Sequence, residues 1–246
     1  MVGVHPGLKA LGSRLSRWVT LSADDHAAIA GLSCAKRTYE AGQYLLREGD
    51  HPKVCSFLVS GLVFRHKIVG DGGRQIVSIH IPGDIIDLQN LLLSVADHSI
   101  QAMTATEILT FDTAEILRLA QTHPAISQAF WHESLVEASI LREWIANIGR
   151  RDAYARTAHL LCELVARRTM TTGETPDIHE LPTQEQLGDA LGLTAVHINR
   201  TLRTLEAEGL IVRSKRAVKI VDWEGLLSAG DFTTAYLHPR DTRNNG

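Results

Sequence analysis

The stretch over residues 183–205, TQEQLGDALGLTAVHINRTLRTL, has the pattern of two short helices joined by a tight turn. Thr183 and Gln186, three residues apart, form a capping-box signature that marks the start of the first helix. Gly192 predicts the end of that helix, because helices commonly close on a residue in the left-handed conformation. Thr194 is placed to cap the second helix. This helix pair constrains the fold more than any other segment.

The second helix has an apolar face and a mostly polar face. Ile198, Leu202 and Leu205 recur at spacings of four and three, which predicts a buried stripe. The residues that remain on the outside are Val196, His197, Asn199, Arg200 and Arg203. A polar helix held by a short positioning helix is typical of a helix-turn-helix whose second helix enters the DNA major groove.

A short hairpin is predicted directly after these helices. Apolar residues at 210–212 and at 218 and 220 flank the basic turn Ser214-Lys215-Arg216. Two short strand-like runs around such a turn indicate a β-hairpin wing. Gly188 lies where the second helix has to come close to the first. Amphipathic helices around a glycine also occur in domains that bind nothing, but the caps, Gly188 and the wing together favour a DNA reader.

The candidate DNA contacts are therefore drawn from the first helix, the second helix and the wing. They are Gln184, Thr194, Val196, His197, Asn199, Arg200, Arg203 and Lys215. The whole chain has a net charge of −3, yet residues 194–222 are locally cationic. Six cations (Arg200, Arg203, Arg213, Lys215, Arg216, Lys219) stand there against Glu206, Glu208 and Asp222. Local positive charge of this kind suits phosphate contacts.

The length and the cysteine content set further bounds. A chain of 246 residues, 44% of them hydrophobic, suits two domains with their own cores. No apolar run reaches the length of a membrane span, and the first residues lack a signal-peptide pattern. Cys34, Cys55 and Cys162 form neither a disulfide framework nor a CxxC metal pair. We therefore expect a cytoplasmic protein with reduced thiols.

The N-terminal half predicts a small antiparallel β structure. Residues 1–20 are polar and basic with little periodicity, and Ser22 begins a short helix. From Tyr39 to Phe111, short strand-like runs recur about every eight to twelve residues, which favours a barrel or sandwich. Residues 84–93 interrupt these strands and have the pattern of a short helix, and Asp71-Gly72-Gly73 predicts a hairpin turn.

A long helix without an internal breaker is predicted from Pro124 to Gly149. Leu135, Ala138, Leu141, Ile145 and Ile148 recur on it at spacings of three and four, as in a coiled-coil seam. The alternative is a helix packed only on its own domain. We prefer a dimer seam, because a DNA reader profits from two copies. The predicted division is 1–123 for the β domain, 124–150 for the dimerisation helix and hinge, and 151–246 for the winged helix-turn-helix.

An N-terminal β-roll, a long connecting helix and a C-terminal winged helix resemble the Crp/Fnr superfamily of bacterial transcription regulators. The matching segments include YEAGQYLLREGD, FLVSGLV, IPGDIIDL and LEAEGLI, and they run from about Tyr39 to Asp222. The resemblance implies an α+β protein with a cyclic-nucleotide-binding-like β-roll. It also implies a homodimer on a two-fold symmetric DNA site, an effector in the β-roll and contact with RNA polymerase.

The candidate effector pocket departs from the family pattern. The family pattern for relatives that bind cyclic AMP has Gly-Glu-Leu after the GD turn and Arg-Ser on the next strand. Here Asp87-Leu88-Gln89 and His98-Ser99 hold these places. A neutral imidazole cannot give the bidentate grip of the guanidinium that pairs with the cyclic phosphate. Cyclic AMP is therefore disfavoured, and the effector is unknown.

Other cofactors of the family are also disfavoured. The chain has three cysteines and none before residue 34, so a four-cysteine iron–sulfur cluster is excluded by count. His80 or His98 could ligate a haem iron, but each is more often an ordinary sheet histidine. Two interpretations remain for a further group of polar residues, a small polar site or a solvated loop rim. The group is Asp84, Asp87, Asp97 and His98.

The resemblance also assigns roles along the second helix. Thr194 matches a position that contacts backbone phosphate, and Arg200 matches an arginine that relatives aim at guanine, through a bidentate fork to O6 and N7. Ala195 and Val196 stand where relatives often carry arginine and glutamate. Val196 cannot accept a hydrogen bond from cytosine but can touch a thymine methyl. The half-site should therefore differ from that of glutamate-bearing regulators.

A regulator that works without an effector is a variant of the main hypothesis. Two other functional classes compete with a dimeric transcription regulator. One is a sensor subunit that uses the β-roll to control a partner protein. The other is a cupin-type enzyme, but His51, His66, His80 and His98 are scattered, without metal-ligand spacing. We therefore expect no enzymatic activity and no metal site.

Overall fold

A computed structural model describes residues 5–70, 72–172, 177–178 and 180–239. The chain forms two compact units. The first contains residues 5–63 and 80–137, and the second contains residues 64–79 and 138–239. The predicted α+β class, with antiparallel strands first and a winged helix-turn-helix last, is confirmed. Among the described residues, no helix is both long enough and apolar enough to span a membrane.

The first unit opens with two helices, α1 (Pro6–Leu15) and α2 (Ala23–Ala30). The sequence showed little periodicity over residues 1–20, yet α1 forms there. Leu8, Leu11 and Leu15 recur at helical spacing and are buried, so they give α1 an apolar face against the core. The Arg14 guanidinium also donates two hydrogen bonds to the Glu133 carboxylate, at 2.6 and 2.8 Å. The predicted capping box of α2, at Ser22, is confirmed.

The main sheet of this unit has the strand order β1-β8-β3-β6, and each of these neighbouring pairs is antiparallel. Its strands are β1 (Ala35–Tyr39), β3 (Val54–Ser60), β6 (Ile85–Ile86) and β8 (Thr106–Asp112). Phe57 pairs with Leu109 at its centre, and both are buried under α1 and α2 in the larger apolar core.

Four more strands pair outside the main sheet. They are β2 (Tyr44–Leu46), β4 (Val63–Ile68), β5 (Arg74–His80) and β7 (Ser99–Ala102). Strand β2 pairs with β7, and β4 with β5. The predicted helix over residues 84–93 was wrong, because β6 and a 3-10 turn (Leu88–Leu91) occupy it. The predicted hairpin turn includes Asp71, which lies outside the described residues.

Helices α3 (Thr113–Thr122) and α4 (Pro124–Arg150) follow the strands. Helix α4 has the predicted start and one more residue than predicted at its end. The sequence also predicts a helix from Ala153 to Arg168 and a loop over residues 169–176. Helix α5 (Ala153–Thr172) is longer than this, so the prediction of a loop is wrong for residues 169–172. Pro124 fits the start of α4, because the first turn of a helix needs no N–H donor there.

The second unit ends in the reading head and a short C-terminal segment. Its elements are α6 (Gln184–Leu191), α7 (Ala195–Ala207), β9 (Ile211–Ser214), β10 (Ala217–Ile220) and α8 (Trp223–Ala229). A 3-10 turn follows at Ala235–Leu237. Helix α5 has a buried apolar face, formed by Leu160, Leu161, Leu164 and Val165.

Candidate nucleic-acid interface

Helix α6 begins with the predicted capping box. The Thr183 hydroxyl accepts a hydrogen bond from the Gln186 N–H at 3.2 Å, and the Gln186 side chain accepts one from the Thr183 N–H at 2.9 Å. Gly192 ends the helix with a φ of +64°. A Cβ on Gly188 would lie 2.4 Å from the Leu193 carbonyl oxygen. The turn between α6 and α7 therefore needs glycine for space at one position and for conformation at the other.

Helix α7 has the two faces that its sequence predicts. The Thr194 hydroxyl caps it by accepting a hydrogen bond from the His197 N–H at 3.3 Å. Ile198, Leu202 and Leu205 are at most 1% exposed. Packing of this stripe leaves the opposite face of α7 open to a partner.

The structure places most candidate DNA contacts on this open surface. Those that are exposed are Gln184, Thr194, Val196, His197, Arg200, Arg203 and Lys215. Val196 is 77% exposed, so its methyl groups are accessible for a contact with a thymine methyl. Asn199 is less exposed than the other candidates. It is half-buried, and its side-chain oxygen accepts a hydrogen bond from Arg213.

Arg213 connects the wing to α7, a role that the sequence did not reveal. Its guanidinium donates to the Glu206 carboxylate at 3.0 Å and to the Asn199 side-chain oxygen at 3.4 Å. Its N–H also donates to Glu206 at 3.0 Å. These hydrogen bonds hold the pKa of Glu206 below its ordinary value. Arg213 therefore joins the wing to α7 within the winged helix-turn-helix, although its charge alone suggests a phosphate contact.

The wing is a β-hairpin with a two-residue turn. Ser214 pairs with Ala217, so Lys215 and Arg216 form the turn and are exposed. Ile178 adds a bridge to Val218, with N–H to carbonyl hydrogen bonds of 2.8 and 2.9 Å. A groove of about 540 Å³ lies between the wing and the start of α6. Thr183, Gln184 and the basic turn line it, which suits an extended anion such as a phosphate backbone.

The candidate effector residues come together only in part. The His98 ring has one nitrogen 3.2 Å from a carboxylate oxygen of Asp87 and the other 2.7 Å from a carboxylate oxygen of Asp97. Asp87 and His98 are buried, and Asp87 has a φ of +60°, which is strained for a residue with a side chain. Asp84 accepts a hydrogen bond from the Ile81 N–H instead. Each ring nitrogen of His98 is therefore in contact with one aspartate.

The remaining candidate effector residues point elsewhere. Leu88 packs against the apolar core of the first unit. Ser99 accepts a hydrogen bond from the Glu48 N–H at 3.0 Å. Gln89 is half-buried, and its carbonyl accepts from the N–H groups of Leu92 and Leu93 at 2.9 and 2.7 Å. Among the described residues, no group of three or more His, Cys, Asp or Glu side chains is arranged to hold a metal.

Helix α4 has a partly exposed apolar face along the predicted seam. Leu135 is 60% exposed and Ile145 is 72% exposed. The other seam residues, Ala138, Leu141 and Ile148, are half-buried. Val136, Ser139, Trp144 and Asn147 are buried on the other side of the helix. The exposed positions retain spacing that fits a second helix.

The sequence comparisons agree with this geometry. Residues 36–123 match the model of a cyclic nucleotide-binding domain, and residues 155–229 match a Crp-like helix-turn-helix domain. The chain is 30% identical over 172 residues to the nitrogen fixation regulation protein FixK of Azorhizobium caulinodans, covering 69% of this chain and 68% of that protein. The chain belongs to the Crp/Fnr superfamily of transcription regulators. It is also 29% identical over 202 residues to the transcriptional activator protein FnrL of Cereibacter sphaeroides, covering 79% and 80% of the two chains.

A solved structure shows the same Crp/Fnr fold. FixK2 from Bradyrhizobium japonicum aligns with a TM-score of 0.75 at 21% identity, over 82% of this chain and all of that one. The resemblance inferred from the residues is therefore confirmed, and so is the function class of a DNA-binding transcription regulator. The sensor-subunit alternative is not favoured, because the relatives are transcription regulators and the head matches a DNA-binding model.

Proposed function

We propose that this regulator acts as a homodimer that reads a two-fold symmetric operator, with one α7 in the major groove of each half-site. The observation that carries the proposal is the exposed polar face of α7, fixed over a buried Ile198–Leu202–Leu205 stripe. Gln184, His197 and Asn199 supply further polar groups for bases or phosphates. The proposed division of labour follows the predicted boundaries 1–123, 124–150 and 151–246.

Each candidate contact has a role in this proposal. Arg200 forms a bidentate pair with guanine, and Val196 touches a thymine methyl. Thr194, Arg203 and Lys215 contact phosphates, which position the head without reading sequence. Asn199 accepts a hydrogen bond from Arg213, so its amide N–H groups are free to face a base acceptor.

The proposed dimer forms through α4. Leu135, Ala138, Leu141, Ile145 and Ile148 pack against the same residues of the partner, and their burial provides the hydrophobic driving force. Two heads related by a two-fold axis then meet half-sites about one helical turn apart. Because relatives include a named transcriptional activator, we include contact with RNA polymerase in the proposal. The protein then acts in the cytoplasm and has no enzymatic role.

The effector is the part of the family pattern that this chain alters. A cyclic phosphate at the His98 position would meet the carboxylates of Asp87 and Asp97, which repel an anion. We therefore infer that the β-roll responds to a signal other than cyclic AMP or serves as a scaffold. Three cysteines also cannot supply a four-cysteine cluster, and we propose no haem.

Selection of bound sequences from random duplex DNA tests the proposal. Purified protein, without added ligand and at a stated salt concentration, should enrich a two-fold symmetric motif with half-sites about 10 base pairs apart, centre to centre, or a multiple of that. Weak, salt-sensitive binding without sequence preference would contradict effector-independent reading. Failure to bind any duplex would overturn the proposal and favour the sensor-subunit alternative.

A further inference from the structure

The carboxylate of Glu163 lies fully buried in the second unit and is not explained by the recognition surface. The indole N–H of Trp144 donates to both of its oxygens, at 3.1 and 3.0 Å. The Tyr236 hydroxyl donates at 2.8 Å, and the Arg167 guanidinium at 3.2 Å. We call Trp144, Glu163, Arg167 and Tyr236 the Glu163 cluster.

The members of the Glu163 cluster come from different parts of the unit. Trp144 lies in the last turns of α4, Glu163 and Arg167 lie in α5, and Tyr236 lies in the C-terminal 3-10 turn. Arg167 also donates to the Ile79 carbonyl of β5 at 2.9 Å. One ion pair therefore connects α4, the β4–β5 hairpin and the C-terminal segment with α5.

The chemistry of the Glu163 cluster favours orientation over stability. A buried ion pair is a weak source of stability, because desolvation offsets the attraction. A buried carboxylate that loses one of its three donors incurs a desolvation cost, however, so arrangements that keep all three donors in place are favoured. Burial and the charge of Glu163 raise the pKa of Tyr236, so its hydroxyl keeps its proton and remains a donor.

Two neighbouring contacts fix the head in the same arrangement. The Arg156 guanidinium donates to the Leu191 carbonyl at 2.7 Å and to the Arg151 carbonyl at 2.9 Å, so it connects the end of α6 with the α4–α5 junction. On the hairpin, Arg74 donates to Asp189 of α6 at 2.7 Å. Helix α6 is thus held from the junction and from the β4–β5 hairpin, while the Glu163 cluster holds α5.

We propose that Glu163 and Arg167 are positioning residues that set the angle of the reading head against the last turns of α4, and thereby the operator spacing that the dimer accepts. This inference rests on the proposed function. One base pair of added spacing rotates a half-site by roughly a tenth of a turn. A head held at one angle therefore prefers one spacing, whereas a loosened head tolerates several.

The experiment separates recognition of one half-site from recognition of spacing. Affinities are measured for a single half-site duplex and for full operators whose spacing is changed by one or two base pairs. Glu163→Gln should leave half-site affinity nearly unchanged and reduce the preference for the native spacing by about 3- to 30-fold. Arg167→Lys, which keeps the cation beside Glu163, should reduce that preference less than Glu163→Gln does. Glu224→Gln, an exposed change of the same kind in α8, should behave like the wild type.

The outcomes distinguish the two proposals. Absence of half-site binding by the wild type would overturn the proposed function itself. Normal half-site binding with an unchanged spacing preference in Glu163→Gln would overturn only the positioning role. If Glu163→Gln does not fold, Tyr236→Phe decides, because it removes one donor and keeps the ion pair. It should then reduce the spacing preference in the same direction, and an unchanged preference would refute the inference.

Discussion

Replacing Gly188 by alanine tests the packing of the helix-turn-helix. Alanine is about 1 kcal/mol better than glycine within a helix, so propensity alone predicts a gain in stability. In the structure, however, the new Cβ would lie 2.4 Å from the Leu193 carbonyl oxygen. Ordinary carbon–oxygen contacts are about 3.3 Å or longer, so the turn backbone must move by nearly 1 Å. Overpacking of this kind costs about 1–3 kcal/mol.

Gly149→Ala is the matched control, because Gly149 is also helical and a Cβ there meets nothing within 4 Å. It should receive the propensity gain without the clash. The free energy of unfolding, measured by urea denaturation at a fixed protein concentration, should therefore be about 1–3 kcal/mol lower in Gly188→Ala than in Gly149→Ala. Equal stabilities, or a more stable Gly188→Ala, would refute the argument that close approach requires glycine at this turn.

Three further changes test other parts of the account. Arg200→Ala should cost about 1–3 kcal/mol of operator binding and relax one base position, whereas Lys215→Ala should weaken all sequences alike and lower the salt slope by about one; titrations at several salt concentrations distinguish them, and an unchanged base preference in Arg200→Ala would contradict its role. Ile145→Asp should place a charge in the α4 seam and give monomers in sedimentation, so a persistent dimer would exclude this seam. Burial lowers the pKa of His159, so the native state takes up its proton less readily than the unfolded chain. The free energy of unfolding should therefore fall as the pH decreases through about 6.5; His159→Gln should lose less over that range in chemical denaturation, and an equal loss would contradict this source.

The parts of the fold that follow local rules were predictable from the sequence. The caps at Thr183 and Thr194 and the turn at Gly192 depend on residues within a few positions of one another, and all were confirmed. Helix α1 was missed because its leucines are informative only once a sheet is present to cover them. The helix predicted over residues 84–93 failed for a related reason, since strand β6 forms only through pairing with β3.

The contacts of the candidate sites depend on distant residues and were less accessible. The sequence counted Arg213 among the cations that suit phosphate contacts, but in the structure it is bound by Glu206 and Asn199. The Glu163 cluster joins residues up to 92 positions apart, from Trp144 to Tyr236 (236 − 144), and no short motif marks it. The sequence already showed that Asp87 and His98 depart from the family pattern. Only the structure shows that the carboxylates of Asp87 and Asp97 both contact the His98 ring.

The most direct test of base reading by α7 is a change of specificity at Val196. Sequences selected from random duplex DNA by the wild type are compared with those selected by Val196→Glu. Because a glutamate accepts a hydrogen bond from the cytosine amino group, the variant should change one position in each half-site towards cytosine, symmetrically. The other positions, including the guanine assigned to Arg200, should be retained. An unchanged motif, or uniform loss of binding without a new preference, would contradict the claim that this face of α7 reads the operator.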